Sequence, residues 1–186
     1  AEAAAIAEAV AALQAALAEL IAGAGDAATA DSRMAAFAAR FPRDAKHRWV
    51  RDLAAEVLHF THPEQYPLMT RWVWDEAPNS GVLREIWFGE DVDRQRLTVP
   101  DTYVTFLTLR EELSEFLATN GVFRDVPFYV DALCAQIYGE YVAAQGGSYL
   151  RSDFNSEDEP GLFTRRMLGL DGRAPLPASA ETQRLH

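Results

Sequence analysis

Apolar residues in the first twenty positions recur at alternating steps of four and three. The stripe consists of Ile6, Val10, Leu13, Leu17 and Leu20. This spacing, with Ala at most positions between, is typical of an α-helix with a narrow, coiled-coil-like seam. Because so narrow a seam buries little area, the helix needs either the domain core or a second copy of itself as a neighbour. Gly23 and Gly25 predict the end of the helix.

Two further stretches carry an apolar face with helical spacing. Residues 31–41 place Met34, Phe37 and Phe41 on one side, and Pro42 predicts the stop. Residues 44–60 have a broader apolar face with charged residues between its members, which is the pattern of a core helix. The members of this face are Trp49, Val50, Leu53, Val57 and Leu58.

The clearest helices lie between residues 100 and 147. The stripe of the first is Phe106, Leu109, Leu113 and Phe116, and Asn120-Gly121 supplies a left-handed stop. The second helix begins at Asp125, has Pro127 in its first turn and ends at Gly146-Gly147. Its stripe is Val130, Leu133, Ile137 and Tyr141. We expect the core to include Leu113, Phe116, Leu133 and Ile137.

The stretch 71–88 is ambiguous, because aromatic and β-branched residues flank the turn-rich segment 77–81. A short β-hairpin is therefore an alternative to helix there. The whole pattern predicts an all-α or mainly α fold, a single-domain bundle of about five to seven helices in residues 1–150. Short loops favour antiparallel neighbours.

Residues 151–186 differ in character from the rest of the chain. An acidic stretch poor in apolar residues predicts a solvated linker, and the Pro-rich end predicts no regular structure. Between them lies a short apolar segment, Leu162–Leu170, which cannot offset its own ordering cost without an external surface. We expect it to be a docking element for this domain or for a partner. Its anchors are Leu162, Phe163, Met167 and Leu168.

Composition narrows the possible functions. Apolar residues make up 49% of the chain and charged residues 24%, which predicts a packed globular domain. The formal net charge of -11 opposes binding to nucleic acid. The N-terminal stretch is interrupted by charges, so it predicts neither the apolar core of a signal sequence nor a membrane span; an Ala-rich mature N-terminus left by a secretory peptidase is the alternative. The single cysteine, Cys134, excludes an intramolecular disulfide, and the chain fits a cytoplasmic protein.

One group of residues has the spacing of metal ligands. Glu56 and His59 are three apart on a predicted helix, and His62 follows one turn later. Two His and one carboxylate suit zinc or iron, so a metal-dependent enzyme is one hypothesis. The alternative is that His59 covers a helix end and His62 belongs to the next turn, so that no metal is bound.

Three of the four tryptophans lie between residues 72 and 87. Trp and Arg dominate interface hot spots and also stack on planar ligands, so Arg71, Trp72 and Trp74 are candidates for binding a partner. The alternative is a core corner in which Arg71 pairs with Asp75 one helical turn away. A helical ligand-binding or regulatory module with a Trp-lined pocket is a further hypothesis.

Sequence motifs for other chemistry are missing. The chain contains no phosphate-binding Gly-rich loop, no nucleophile elbow, no Cys-x-x-Cys and no His-Glu-x-x-His. The seam-like first helix, the Trp-rich segment and the apolar C-terminal segment together favour an accessory or protein-interaction subunit of a larger bacterial-type assembly, without catalytic chemistry of its own. A protein partner or a homo-oligomer is expected, and no cofactor.

Overall fold

Six α-helices and two short 3-10 turns make up the part of the chain that the computed structural model describes, residues 2–87 and 95–146. These residues contain no strand, which confirms the mainly helical prediction. The 3-10 turns are Ala27–Thr29 and Ala45–His47. The helices are α1 (Glu2–Ala22), α2 (Ala30–Ala38), α3 (Trp49–Thr61), α4 (Val82–Ile86), α5 (Tyr103–Thr119) and α6 (Val126–Gly146).

Contacts divide the chain into two units, one up to Tyr138 and one from Gly139 onward. The core belongs to the first unit, where α1, α2 and α3 pack on one another. The boundary expected at residue 150 lies outside the described residues, as does the whole of 151–186.

Helix α1 leaves the core halfway along its length. Leu20 is buried, and Leu13 and Leu17 are partly buried against the core. Ile6 and Val10, which continue the same seam, are 59% and 48% exposed. Among the described residues, the seam predicted from the sequence therefore has a neighbour only along its C-terminal half.

The stripe of α5 corrects one expected core residue. Phe106, Leu109 and Leu113 are buried as predicted, but the fourth buried position is Leu117, and Phe116 is 55% exposed. At 100° per residue, Phe116 and Leu117 each lie about 50° from the centre of the stripe, on opposite sides. Periodicity alone cannot choose between two such positions. On α6, Leu133 and Ile137 pack against the core beside the buried Val130 and Cys134.

Tyr66, in the turn after α3, joins the N-terminal helices to this turn. Its ring is fully buried, and its hydroxyl donates to the Ala24 carbonyl at 2.6 Å. The same hydroxyl accepts from the Arg33 guanidinium at 2.5 Å, and Arg33 also donates to the Leu20 carbonyl at 2.7 Å. The end of α1 is thereby held against α2 and the turn, because these hydrogen bonds give the Tyr66 hydroxyl and the Arg33 guanidinium their partners.

The ambiguous stretch 71–88 contains a tight turn followed by helix α4. Asp75 and Ser80 exchange two backbone hydrogen bonds, of 3.0 and 3.2 Å, which form one isolated antiparallel bridge. The hairpin alternative is thus reduced to this single pair, because the chain enters α4 at Val82 instead of continuing as a strand. Asn79 stabilises the turn: its side chain donates to the Leu97 carbonyl at 2.8 Å and accepts from the Leu97 amide at 3.0 Å.

Gly81 is required where the turn meets α4. Its φ is 119°, a conformation that is almost restricted to glycine. A Cβ at this position would lie 2.8 Å from the Val73 carbonyl oxygen and 2.9 Å from that of Trp72. These two carbonyls accept the amides of Leu83 and Val82, so the close approach also sets the start of α4.

Replacing Gly81 by Ala should lower the free energy of unfolding by roughly 1 to 3 kcal/mol more than the same change at Gly121. Gly121 is a matched control, because its φ is also positive, at 88°, but no atom lies within 4 Å of an added Cβ. Equilibrium urea unfolding of both variants measures the difference. Equal losses would show that backbone strain, and not the approach to residues 72 and 73, sets the cost.

Candidate functional site

The three residues predicted to bind metal do not converge. His59 is buried and points into the core, whereas Glu56 is exposed on α3. His62 lies in the turn after α3, with its Nδ1 2.9 Å from the Thr61 hydroxyl. Among residues 2–87 and 95–146, no group of three His, Cys, Asp or Glu side chains is placed to hold a metal ion. The geometry therefore gives no support to the zinc or iron hypothesis.

His59 instead forms a bridge between α3 and α6. Its Nδ1 lies 2.9 Å from the Tyr66 carbonyl, and its Nε2 lies 2.9 Å from a carboxylate oxygen of Asp131. A carbonyl and a carboxylate are both acceptors, so both ring nitrogens must carry a proton to satisfy them. The arrangement calls for an imidazolium paired with the Asp131 carboxylate.

Electrostatics agrees with a charged His59. Burial favours the neutral ring, but the hydrogen bond and the charge of Asp131, with the Tyr66 carbonyl, outweigh it and raise the pKa of His59 above its ordinary 6.5. Arg110 nearby acts in the opposite direction. The raised pKa favours the cationic form of His59, and both of its ring nitrogens already have partners within the fold.

Cys134 lies close to this bridge and is chemically quiet. Burial, with the charge of Asp131, raises the pKa of its thiol to about 12, so the nucleophilic thiolate is absent at neutral pH. The adjoining cavity, lined by Arg110, Asp131 and Cys134 among others, has a volume of about 20 Å³. Such a volume holds about one water molecule and no substrate.

Trp72, Trp74 and Arg71 of the Trp-rich segment all make contacts within the fold. Trp74 is fully buried, and its indole nitrogen donates to the Val99 carbonyl at 3.0 Å, so it has no surface to offer a partner. The ring of Trp72 packs 5.5 Å from that of Tyr138. Arg71 pairs with Asp52 of α3, with nitrogen to oxygen distances of 2.6 and 3.0 Å, instead of with Asp75. As binding residues, Arg71 and Trp72 remain predictions.

Exposed aromatic side chains concentrate where α5 meets α6. We call this set the aromatic corner; it consists of Phe116, Phe123, Phe128 and Tyr129. Their exposed fractions are 55%, 76%, 68% and 46%, respectively. Scattered single apolar residues on a surface are normal, but four aromatic rings within fourteen consecutive residues need an explanation.

The backbone of the aromatic corner is fixed by two residues with positive φ. Gly121, at 88°, ends α5, and the Val122 amide donates to the Leu117 carbonyl at 2.9 Å. Asp125, at 51°, precedes α6, and its carbonyl accepts the Tyr129 amide at 3.1 Å. Both turns are hydrogen-bonded, so the exposed rings stand on a defined backbone.

Sequence reasoning missed all four as surface residues: it placed Phe116 in the core and gave no role to Phe123, Phe128 and Tyr129. The signal was present at Phe123, which stands between the turn residues Gly121 and Asp125, where no periodic pattern requires burial. Phe128 and Tyr129 directly precede Val130, the first residue of the α6 stripe, and lie outside that stripe. The four expected C-terminal binding residues lie outside the described part of the chain; they are Leu162, Phe163, Met167 and Leu168.

Comparison with known proteins yields no relative. The chain matches no family model, no curated protein and no solved structure. In the described ranges, none of the helices combines the length and the apolar character needed to cross a bilayer. The side chains themselves must therefore carry any functional argument.

Replacing Asp131 by Asn should lower the pKa of His59, because burial then acts without the compensating carboxylate. Since the folded-state pKa of His59 is raised, the pair stabilises the fold fully below the unfolded value of 6.5, and this stability is lost as pH rises through the folded pKa. We expect the free energy of unfolding of the wild type to exceed that of the variant by about 1 to 3 kcal/mol near pH 5.5 and by less near pH 9.

NMR titration of the His59 ring protons and urea unfolding at both pH values measure these effects. Asp44→Asn is the control, because Asp44 forms a similar pair with His47, of 2.7 Å, on the exposed surface. Exposed ion pairs contribute little to stability, so the pH-dependent loss of unfolding free energy in Asp44→Asn should be much smaller. An unchanged His59 titration in Asp131→Asn would contradict the assignment of the charge to this pair.

Proposed function

We propose that this chain is an accessory or protein-interaction subunit of a larger bacterial-type protein assembly, without catalytic chemistry of its own, and that it docks through the aromatic corner. The observation that carries the proposal is the exposure of four aromatic side chains within fourteen consecutive residues, on a backbone fixed by hydrogen bonds. Large exposed apolar patches on soluble proteins mark interaction sites, and aromatic residues are enriched at the centres of interfaces.

The energy available from the aromatic corner is sufficient for binding. Burying an exposed Phe or Tyr side chain contributes roughly 1.5 to 3 kcal/mol before the costs of association are subtracted. Four such rings can therefore form the hot-spot cluster of an interface of ordinary size. Because the rings stand on helices and a hydrogen-bonded turn, the cost of ordering on binding falls mainly on the side chains and little on the backbone.

Charge favours a partner of different sequence over a second copy. The chain carries a net charge of -11, so two copies repel each other at low ionic strength. The homo-oligomer expected as the alternative would have to overcome this repulsion at every contact away from the apolar residues. A partner with a neutral or basic surface would instead be attracted.

Site-specific photo-crosslinking in cells of the native organism tests the proposal. With p-benzoylphenylalanine in place of Phe123 or Phe128, irradiation should yield a crosslink to the same partner protein from both positions. The physical reason is that both rings would be buried against that partner. Lys46, which is exposed and lies in another part of the chain, is the control position.

Three outcomes decide between the hypotheses. A distinct partner band from positions 123 and 128, absent from position 46, supports docking through the aromatic corner. A crosslink of twice the mass of the chain would replace the accessory-subunit proposal by a homo-oligomer. Absence of any crosslink specific to 123 and 128 would contradict the proposal.

A further inference from the structure

A second apolar surface lies between α4 and α5, and its lining includes none of the residues of the aromatic corner. It is a groove of about 540 Å³. Its floor includes Leu83 and Leu109, which are 8% and 7% exposed. Trp87 and Val104 line it as well, and these two side chains are 42% and 65% exposed. We call it the α4–α5 groove.

Hydrogen bonds position two of the residues that line the groove. Leu83 is positioned by its amide, which donates to the Val73 carbonyl at 3.0 Å. Val99, another lining residue, is held by the indole nitrogen of the buried Trp74, which donates to its carbonyl at 3.0 Å. The backbone beside the groove at Leu83 and Val99 is therefore set by the fold.

The shape of the groove suits a helix better than a small molecule. Small-molecule sites enclose most of their ligand, whereas several lining residues here, Trp87, Val104, Thr108 and Glu112, are exposed. Val104, Thr108 and Glu112 follow one another at four-residue steps along α5, a length of about 12 Å. About two turns of a second helix could lie beside this row.

The charges beside the groove indicate a basic occupant. Glu111, Glu112 and Glu115 are exposed, and within the described residues none of the three forms an ion pair. Glu111 and Glu115 are seven and eleven residues after Val104, so they lie on its stripe of α5. The net charge of the chain, -11, has the same sign. The groove thus combines an apolar surface with uncompensated negative charge at one end.

We propose that the α4–α5 groove receives an amphipathic, basic helix of a partner protein. Apolar side chains of that helix cover Trp87 and Val104, and Lys or Arg side chains meet Glu111, Glu112 and Glu115. This mode of recognition lays the apolar face of a helix into a groove and uses charge for orientation. The inference rests on the proposed function and adds to it a second surface and the chemistry of its occupant.

Two designed helical peptides are the probes. Both carry Leu at positions i, i+4 and i+7; one has Lys and Gln at the polar positions, the other Glu and Gln. Binding of the fluorescein-labelled peptides is measured by fluorescence anisotropy at physiological ionic strength. The basic peptide should bind at least about tenfold more tightly than the acidic one, because like charges oppose the acidic peptide.

A pair of matched variants separates the groove from general attraction of a basic peptide to an acidic protein. Val104→Asp places a carboxylate in the groove, and Val10→Asp adds the same charge to another exposed valine, on α1. General attraction would make both variants bind the basic peptide slightly more tightly. Docking in the groove instead predicts about tenfold weaker binding for Val104→Asp alone. Circular dichroism verifies that both variants are folded.

Changing Glu111, Glu112 and Glu115 together to Gln should weaken binding of the basic peptide. Binding of the acidic peptide should be unchanged or slightly tighter. Equal binding of the two peptides, equal effects of Val104→Asp and Val10→Asp, or no saturable binding of the basic peptide would each overturn the inference. The crosslinks from positions 123 and 128 are independent of these results. Their presence without peptide binding would reject the groove alone, and the reverse would reject docking through the aromatic corner.

Discussion

A chain of buried polar contacts through Tyr66 connects the helices of the core. Its hydroxyl joins Ala24, after α1, to Arg33 of α2, and its carbonyl accepts from His59 of α3. His59 then pairs with Asp131 of α6. Since a buried polar group without a partner costs free energy, each contact depends on the others being made. The chain of contacts therefore fixes α6 on α3 in one register and so determines which side of α6 faces the core.

The surface available for function follows from this register. With Asp131 turned toward His59, and Val130 and Cys134 in the core, Phe128 and Tyr129 are left partly exposed beside the turn that carries Phe123. His59 and Asp131 satisfy each other, and the adjoining cavity, of about 20 Å³, has room for no more than about one water molecule. The polar groups of this chain of contacts thus serve the fold, and the exposed aromatic side chains are left for the binding that we propose.

Local pattern was sufficient to predict the helices but not their partners. The α5 stripe of Phe106, Leu109 and Leu113 follows from periodicity, whereas the choice between Phe116 and Leu117 depends on what packs there. The spacing of Glu56, His59 and His62 resembles a ligand set, yet the partner of His59 is Asp131, on a helix far along the chain. Equally, composition marks tryptophans as binding residues but cannot tell the buried Trp74 from the exposed Trp87.

The central claim is that the rings of the aromatic corner serve binding and not folding. The most direct measurement is the free energy of unfolding, by urea, of the double variant Phe123→Ser, Phe128→Ser. If both rings are surface side chains, the account predicts a loss below about 1 kcal/mol. A loss of about 3 kcal/mol or more for the pair would be typical of core side chains and would contradict the claim.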